Sequence, residues 1–92
     1  MYKITDYSKR QADKLGVYIK PSDKPKYKID VYDKNQQYIT SIGALDYSDY
    51  PTYIKTHGND YATERRRLYK LRHNKDRHKP GSRGFYSDNI LW

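Results

Sequence analysis

Tyr27-Lys28-Ile29-Asp30-Val31-Tyr32-Asp33-Lys34-Asn35-Gln36-Gln37-Tyr38-Ile39-Thr40-Ser41-Ile42 is the stretch whose reading decides the fold. Tyr27, Ile29 and Val31 alternate with Lys28, Asp30 and Tyr32. That is the period of a half-buried strand, because successive side chains on an extended backbone leave opposite faces. Asp33-Lys34-Asn35-Gln36 supplies turn formers, and Gln37 to Ile42 returns as a second extended run. The spacing predicts an antiparallel β-hairpin.

Working outward toward the N-terminus, Pro21-Ser22-Asp23-Lys24-Pro25 reads as a polar loop, because two prolines and a turn-forming aspartate disfavour regular pairing. Val17-Tyr18-Ile19-Lys20 has the composition of a short third strand. Ser8 to Leu15 predicts a short helix, capped by Thr5, Asp6 or Ser8 and closed by Gly16 in a left-handed position. On the other side, Gly43 to Asp49 is a connection, and Ser48 or Asp49 caps a helix that starts near Pro51 and stops at Gly58. Asn59 or Asp60 then caps the longest helix, Tyr61 to Asp76. Lys79-Pro80-Gly81-Ser82-Arg83-Gly84 reads as a loop, and Phe85 to Trp92 as a tail whose Ile90-Leu91-Trp92 end docks on the core. The expected architecture is a single α+β domain over residues 1–92: a short N-terminal helix, a β-hairpin or three-stranded antiparallel sheet, two C-terminal helices and a docked C-terminal tail.

Composition shows what such a domain has to build with. Seven Ile, five Leu, two Val and one Met stand against twelve Tyr, one Phe and one Trp, at a mean hydropathy of −1.25. Low hydrophobicity with high net charge often leaves a chain unable to offset its conformational entropy. The tyrosines recur at patterned positions, and each can bury a ring while its hydroxyl stays wet. They predict a folded domain with a tyrosine-heavy core. The absence of cysteine excludes disulfides, thiolate metal sites and cysteine nucleophiles, and fits a reducing compartment. No apolar run reaches membrane-spanning length, and Met1 to Asp6 lacks the apolar stretch of a signal peptide. An intracellular or packaged protein without a membrane partner is expected.

The net charge of +8 is unevenly placed. Between Glu64 and Arg83 nine Lys or Arg face only two acids, a local balance of +7. This is the electrostatic footprint of a phosphate-binding surface. On a helical wheel, Leu71, Leu68, Tyr61, Tyr69 and Ala62 form one arc, expected to face the core, while Arg66, Arg67, Lys70 and His73 form the opposite, outward arc. Solvated helix faces usually mix signs, since i,i+4 ion pairs help the helix. Glu64 is the only acid between Tyr61 and Lys75. Arg65 and Arg72 project from the apolar arc. Either their stems pack on the core while the guanidiniums reach carbonyls or a carboxylate such as Asp46, Asp49, Asp88 or the terminal one on Trp92, or they are phosphate ligands in a cleft. Arg77, Lys79, Ser82 and Arg83 extend the basic surface into the loop, where successive N–H groups near Gly81 and Gly84 can form an anion-binding concavity.

The candidate nucleic-acid ligands are therefore Arg66, Arg67, Lys70, His73, Arg77, Lys79, Ser82 and Arg83. Tyrosines next to arginines are compatible with base stacking on single strands, although with so few aliphatics most of them are expected in the core. His57, His73 and His78 have no metal-ligand spacing, so no metal or other cofactor is expected. Paired aspartates (Asp30 with Asp33, Asp46 with Asp49) leave a metal-dependent nuclease conceivable, but surface turns commonly carry such residues. Gly16-Val17-Tyr18 followed by Tyr38-Ile39-Thr40-Ser41-Ile42-Gly43 superficially resembles a GIY-YIG nuclease. The second element does not read Tyr-Ile-Gly, and the family's glutamate has no clear counterpart. No catalytic residue is assigned.

A wider resemblance rests on Tyr27 to Asp33, Ser41-Ile42-Gly43-Ala44, Asp49-Tyr50-Pro51-Thr52-Tyr53, Arg65-Arg66-Arg67-Leu68-Tyr69, Arg77 to Gly84 and Ile90-Leu91-Trp92. Together these resemble a family of short basic proteins encoded by large nucleocytoplasmic DNA viruses, giant and chlorella-virus-like. The resemblance spans most of the chain from about Tyr27 onward. It implies a virion, or a viral factory in the cytoplasm or nucleus of an infected host. The expected function is sequence-nonspecific binding of DNA or RNA through the phosphate backbone, in genome packaging or the virion. The alternative is an assembly protein whose basic face meets acidic surfaces of capsid or other virion proteins. An exposed hairpin edge is also compatible with a homodimer.

Overall fold

The computed structural model describes residues Tyr2–Trp92. It is an α+β fold in which an N-terminal helix, α1 (Asp6–Leu15), precedes three strands, β1 (Tyr18–Pro21), β2 (Tyr27–Tyr32) and β3 (Tyr38–Ala44). Three helices follow: α2 (Tyr50–His57), α3 (Asn59–Arg72) and α4 (Arg83–Leu91). The strands form one antiparallel sheet in the order β1-β2-β3, so the predicted hairpin is β2–β3 and the third strand is present. The register sets Ile29 opposite Ile42 and Val31 opposite Ile19, which gathers the β-branched side chains.

Local signals explain most boundaries. The Thr5 hydroxyl accepts from the Ser8 N–H at the start of α1, and Gly16 closes that helix. Asp49 caps α2 by accepting from the Thr52 N–H at 3.0 Å, ahead of Pro51 in the first turn. The long helix begins earlier and ends sooner than its pattern suggests, and residues 73–82 form successive turns. His73, Asn74 and Asp76 are poor helix formers, so the last periodic residues do not carry the helix further.

Two expectations fail at the C-terminal end and in the central strand. The tail is helical, and it starts earlier than expected: Ser82 caps α4 by accepting from the Phe85 N–H at 3.2 Å, and Arg83 and Gly84 open that helix instead of belonging to the loop. The Pro80-Gly81 turn hid this start. The second failure is that β2 is buried on both faces instead of one. Lys28 and Asp30 are each 4% exposed, alongside fully buried Ile29 and Val31. Their burial is tolerable because each charge has partners. The Lys28 ammonium donates to Asp49 Oδ2 at 3.0 Å, and Asp30 accepts from Ser41 Oγ at 2.6 Å and Lys24 Nζ at 3.3 Å.

The core joins Ile29, Val31 and Ile42 of the sheet to Tyr69 of α3 and to Ile90, Leu91 and Trp92. The end of the chain thus docks as expected, although as a helix. Close approach of α4 depends on two glycines. At Gly43, whose φ is +77°, an added Cβ would come within 2.6 Å of the Leu91 side chain. At Gly84 it would come within 2.8 Å of Asp76 Cβ, so the first turn of α4 rests directly on the turns after α3.

Candidate functional site

The tilt of α3 about its own axis sets which cations are free. Ala62 and Tyr69 of the predicted apolar arc are buried, but Tyr61, Leu68 and Leu71 are 44%, 39% and 64% exposed. Aromatic and ionic contacts outweigh the leucines here. The Tyr69 ring lies nearly parallel to the Trp92 indole, 4.4 Å away. The Arg66 guanidinium sits 4.8 Å from the Tyr50 ring, Arg65 sits 5.6 Å from the Tyr53 ring, and Lys70 donates to Asp88 at 2.7 Å. Each contact draws the helix face bearing these residues toward α2 or α4. The interior arc is therefore rotated from the one the wheel predicts: Ala62 and Tyr69 face inward as expected, and Tyr61, Leu68 and Leu71 do not.

This rotation divides the eight candidate ligands. Arg67 is held by Glu64 through two hydrogen bonds, at 2.6 and 3.0 Å, which draw the Glu64 carboxyl below its ordinary range. Lys70 and Arg77 share Asp88, Arg77 at 3.8 Å. Arg66 is half-buried against Tyr50. None of these four lines the cleft that the other four share. His73, Lys79, Ser82 and Arg83 do: all line one cleft of about 850 Å³ between α3, α4, the turns joining them, and the β3–α2 loop.

Sequence reasoning missed Lys75 as a ligand and left Arg65 and Arg72 open between two readings. The carboxylate-paired reading is overturned, because Lys28 occupies Asp49, and Lys70 and Arg77 occupy Asp88. Both arginines line the cleft instead. Its wall carries six Lys or Arg against two aspartates, Asp49 and Asp76. Asp49 is matched by Lys28, and Asp76 lies 3.8 Å from His73. Among the described residues, Arg65, Arg72, Lys75, Lys79 and Arg83 have no carboxylate within ion-pair distance. Arg72, Lys75, Lys79 and Arg83 are exposed, and the Nε of Arg65 is buried without a hydrogen-bond partner. The cluster was legible as two arginines misplaced on an apolar arc and one lysine in the next turn. Only the fold brings them together.

Some of the backbone donors near Gly81 and Gly84 are already engaged. The Lys79 and Ser82 N–H groups close turns onto Asp76 and Lys79, and that of Phe85 is capped. Ser82 Oγ itself donates to the Lys79 carbonyl at 2.7 Å.

Behind one wall lies a rigid buffer of charge. Asp49, 1% exposed, accepts from the Tyr2 hydroxyl at 2.7 Å as well as from Lys28 and Thr52. Burial pushes its carboxyl up, but the Thr52 N–H, the Lys28 charge and the Tyr2 hydroxyl together hold it below the usual carboxylate range. Burial and the neighbouring Asp49 charge raise the Tyr2 hydroxyl well above its ordinary value. The nuclease carboxylates fare differently. Asp30 lies inside β2, engaged by Ser41 and Lys24, while Asp33 accepts from the Asn35 and Gln37 amides in the hairpin turn. Among the described residues no three His, Asp or Glu side chains gather as a metal-binding group. No described helix is long and apolar enough to cross a membrane. Compared with protein-family models, curated proteins and solved structures, the chain finds no match.

Proposed function

We propose that this protein binds nucleic acid without sequence specificity, using the cleft between α3 and α4. One observation carries the reading: five Lys or Arg side chains with no carboxylate partner converge on one concave surface. Gathering like charge costs free energy unless an anion from outside supplies the balance. A phosphate backbone supplies it as a series of evenly spaced charges. The cleft, rather than the outward face of α3, is the phosphate surface. Arg72, Lys75, Lys79 and Arg83 are its ligands, with Arg65 deeper. The resemblance to the viral family sets this activity in a virion or viral factory, in genome packaging.

Fluorescence anisotropy with labelled oligonucleotides across a salt series tests the reading. With four to five phosphate contacts, log affinity falls against log salt with a slope of about −3 to −4. Arg72→Glu combined with Lys79→Glu weakens binding at least tenfold at low salt. Absence of binding at low salt, or affinity indifferent to salt, overturns the proposal.

A second reading draws on a different observation. Leu68 and Leu71 are exposed beside Arg65, Arg72 and Trp92 in a shallow groove, and they are two of only five leucines in the chain. An acidic protein surface with apolar side chains complements that groove, as in an assembly protein of a virion. Co-purification with a protein partner that survives nuclease treatment favours this reading; loss of the partner with the nucleic acid favours the first.

A further inference from the structure

We infer that the cleft takes single-stranded nucleic acid in preference to duplex, with a base laid on Tyr47 and neighbouring phosphates held by Arg72, Lys75, Lys79 and Arg83. This rests on the nucleic-acid reading above and adds the strandedness of the ligand.

A duplex carries its phosphates on a convex surface and turns its bases inward. A protein meets it by laying a helix or ribbon into a groove roughly 12 Å wide, or with a broad basic face. Among the described helices α3 carries the most basic residues, and its outward side is unsuited to either. It presents Leu68, Leu71 and an Arg67 already closed onto Glu64. The unmatched cations instead line a half-open recess of about 850 Å³, Arg65 deeper and the other four exposed along it. That size falls within the range of about 300–1,000 Å³ typical of clefts that enclose a small ligand. A few nucleotides of flexible single strand can follow such a recess. A duplex cannot enter it without unpairing.

The aromatic residues of the recess point the same way. Tyr27, Tyr53, Tyr69 and Trp92 all line it, but their rings are engaged within the protein. Arg83 covers Tyr27 at 5.0 Å, Arg65 and Trp92 flank Tyr53, and Tyr69 stacks on Trp92. Tyr47 differs. It lines the cleft, is 72% exposed, and among the described residues has no ring or cation against it. Unmatched cations beside an unstacked aromatic ring are the two parts from which non-specific single-strand sites are made: the charges track the backbone, and any base offers a face to the ring. A paired base has no face to offer.

The test compares labelled single-stranded DNA and RNA of about a dozen nucleotides with a duplex of the same sequence, by anisotropy across a salt series, with affinities compared at its lowest concentration. At least one single strand is expected to bind ten or more times tighter than the duplex. Tyr47→Ala is expected to weaken single-strand binding about tenfold, to leave the salt slope unchanged, and to leave duplex binding unchanged. Tyr47→Phe is expected to restore single-strand affinity. Lys79→Ala is expected to shallow the single-strand slope by about 0.7. Because Tyr47 is largely exposed, its replacement leaves the unfolding transition in place, which a thermal melt verifies. Duplex binding as tight as single-strand binding, or a Tyr47→Ala protein that binds like the parent, overturns the inference while leaving nucleic-acid binding intact. So does displacement of the strand by an equimolar mononucleotide. Failure of every strand and duplex to bind overturns the underlying reading as well.

Discussion

Strand β2 and the segment from Arg72 to Arg83 are both rich in charge, and they treat it in opposite ways. On β2, Lys28 and Asp30 are almost wholly buried and each is matched by hydrogen-bonded partners of opposite charge. From Arg72 to Arg83 there are five cations, of which only Arg77 has a carboxylate, and that at 3.8 Å. Burial enforces pairing, because an unpaired charge out of water costs several kcal/mol, of order 3–5 when one partner of a buried pair is removed. Solvent imposes no such rule on the second segment. Its imbalance is left to solvent, and it is there that a ligand can supply the missing charge.

The largest expected effect lies on the matched side. Lys28→Met keeps the volume but leaves Asp49 buried without its cation, and destabilises the fold by about 3–5 kcal/mol. Urea unfolding measures this, and a loss below about 1 kcal/mol breaks the contrast drawn between the two regions. Acid comes next. Because the Asp49 and Asp30 carboxyls titrate below their unfolded values, their stabilisation is complete above the unfolded carboxylate pKa of about 4. It is lost as pH falls through the lower native values, where the unfolded chain binds more protons than the folded one. Unfolding midpoints are therefore expected to hold from neutrality to about pH 5 and then decline, with a shallower decline in Asp49→Asn. The smallest structural effect is on the unmatched side: Arg72→Ala and Lys79→Ala leave the unfolding midpoint in place, yet each weakens polyanion binding. Arg67→Gln, which opens only an exposed pair with Glu64, is expected to change neither.

The sequence made part of this legible. Alternation at Tyr27, Ile29 and Val31 located the central strand because the period-two signal is local, and the caps at Thr5 and Asp49 and the stop at Gly16 are local too. It misplaced what depends on distant partners. Nothing near Lys28 announces that Asp49, 21 positions away, will neutralise it. The facing of α3 was misread because Trp92 and Tyr50, which draw that helix round, lie on other elements. The +7 segment pointed to a basic surface and to part of its lining, His73, Lys79, Ser82 and Arg83, but not to the rest. Arg67, Lys70 and Arg77 spend their charge on Glu64 and Asp88, while Arg72 and Lys75 keep theirs. The start of α4 was readable in hindsight from Ser82 as a cap with Tyr86 and Ile90 one helical turn apart, a signal masked by Pro80-Gly81.

Ser8, wholly buried in α1, donates to the Ile90 carbonyl of α4 at 2.8 Å, and Gln11 reaches the Asn89 carbonyl, partners 82 and 78 positions away. One wall of the recess is thus fastened by the first helix of the chain. During synthesis that wall has nothing to close against until nearly every residue is available, and the loop-closure entropy of so distant a clasp falls late in folding. Without α4 docked on α1, the basic segment lacks the wall that α4 supplies to the recess, so the concavity is a product of the tertiary fold and not of the segment itself.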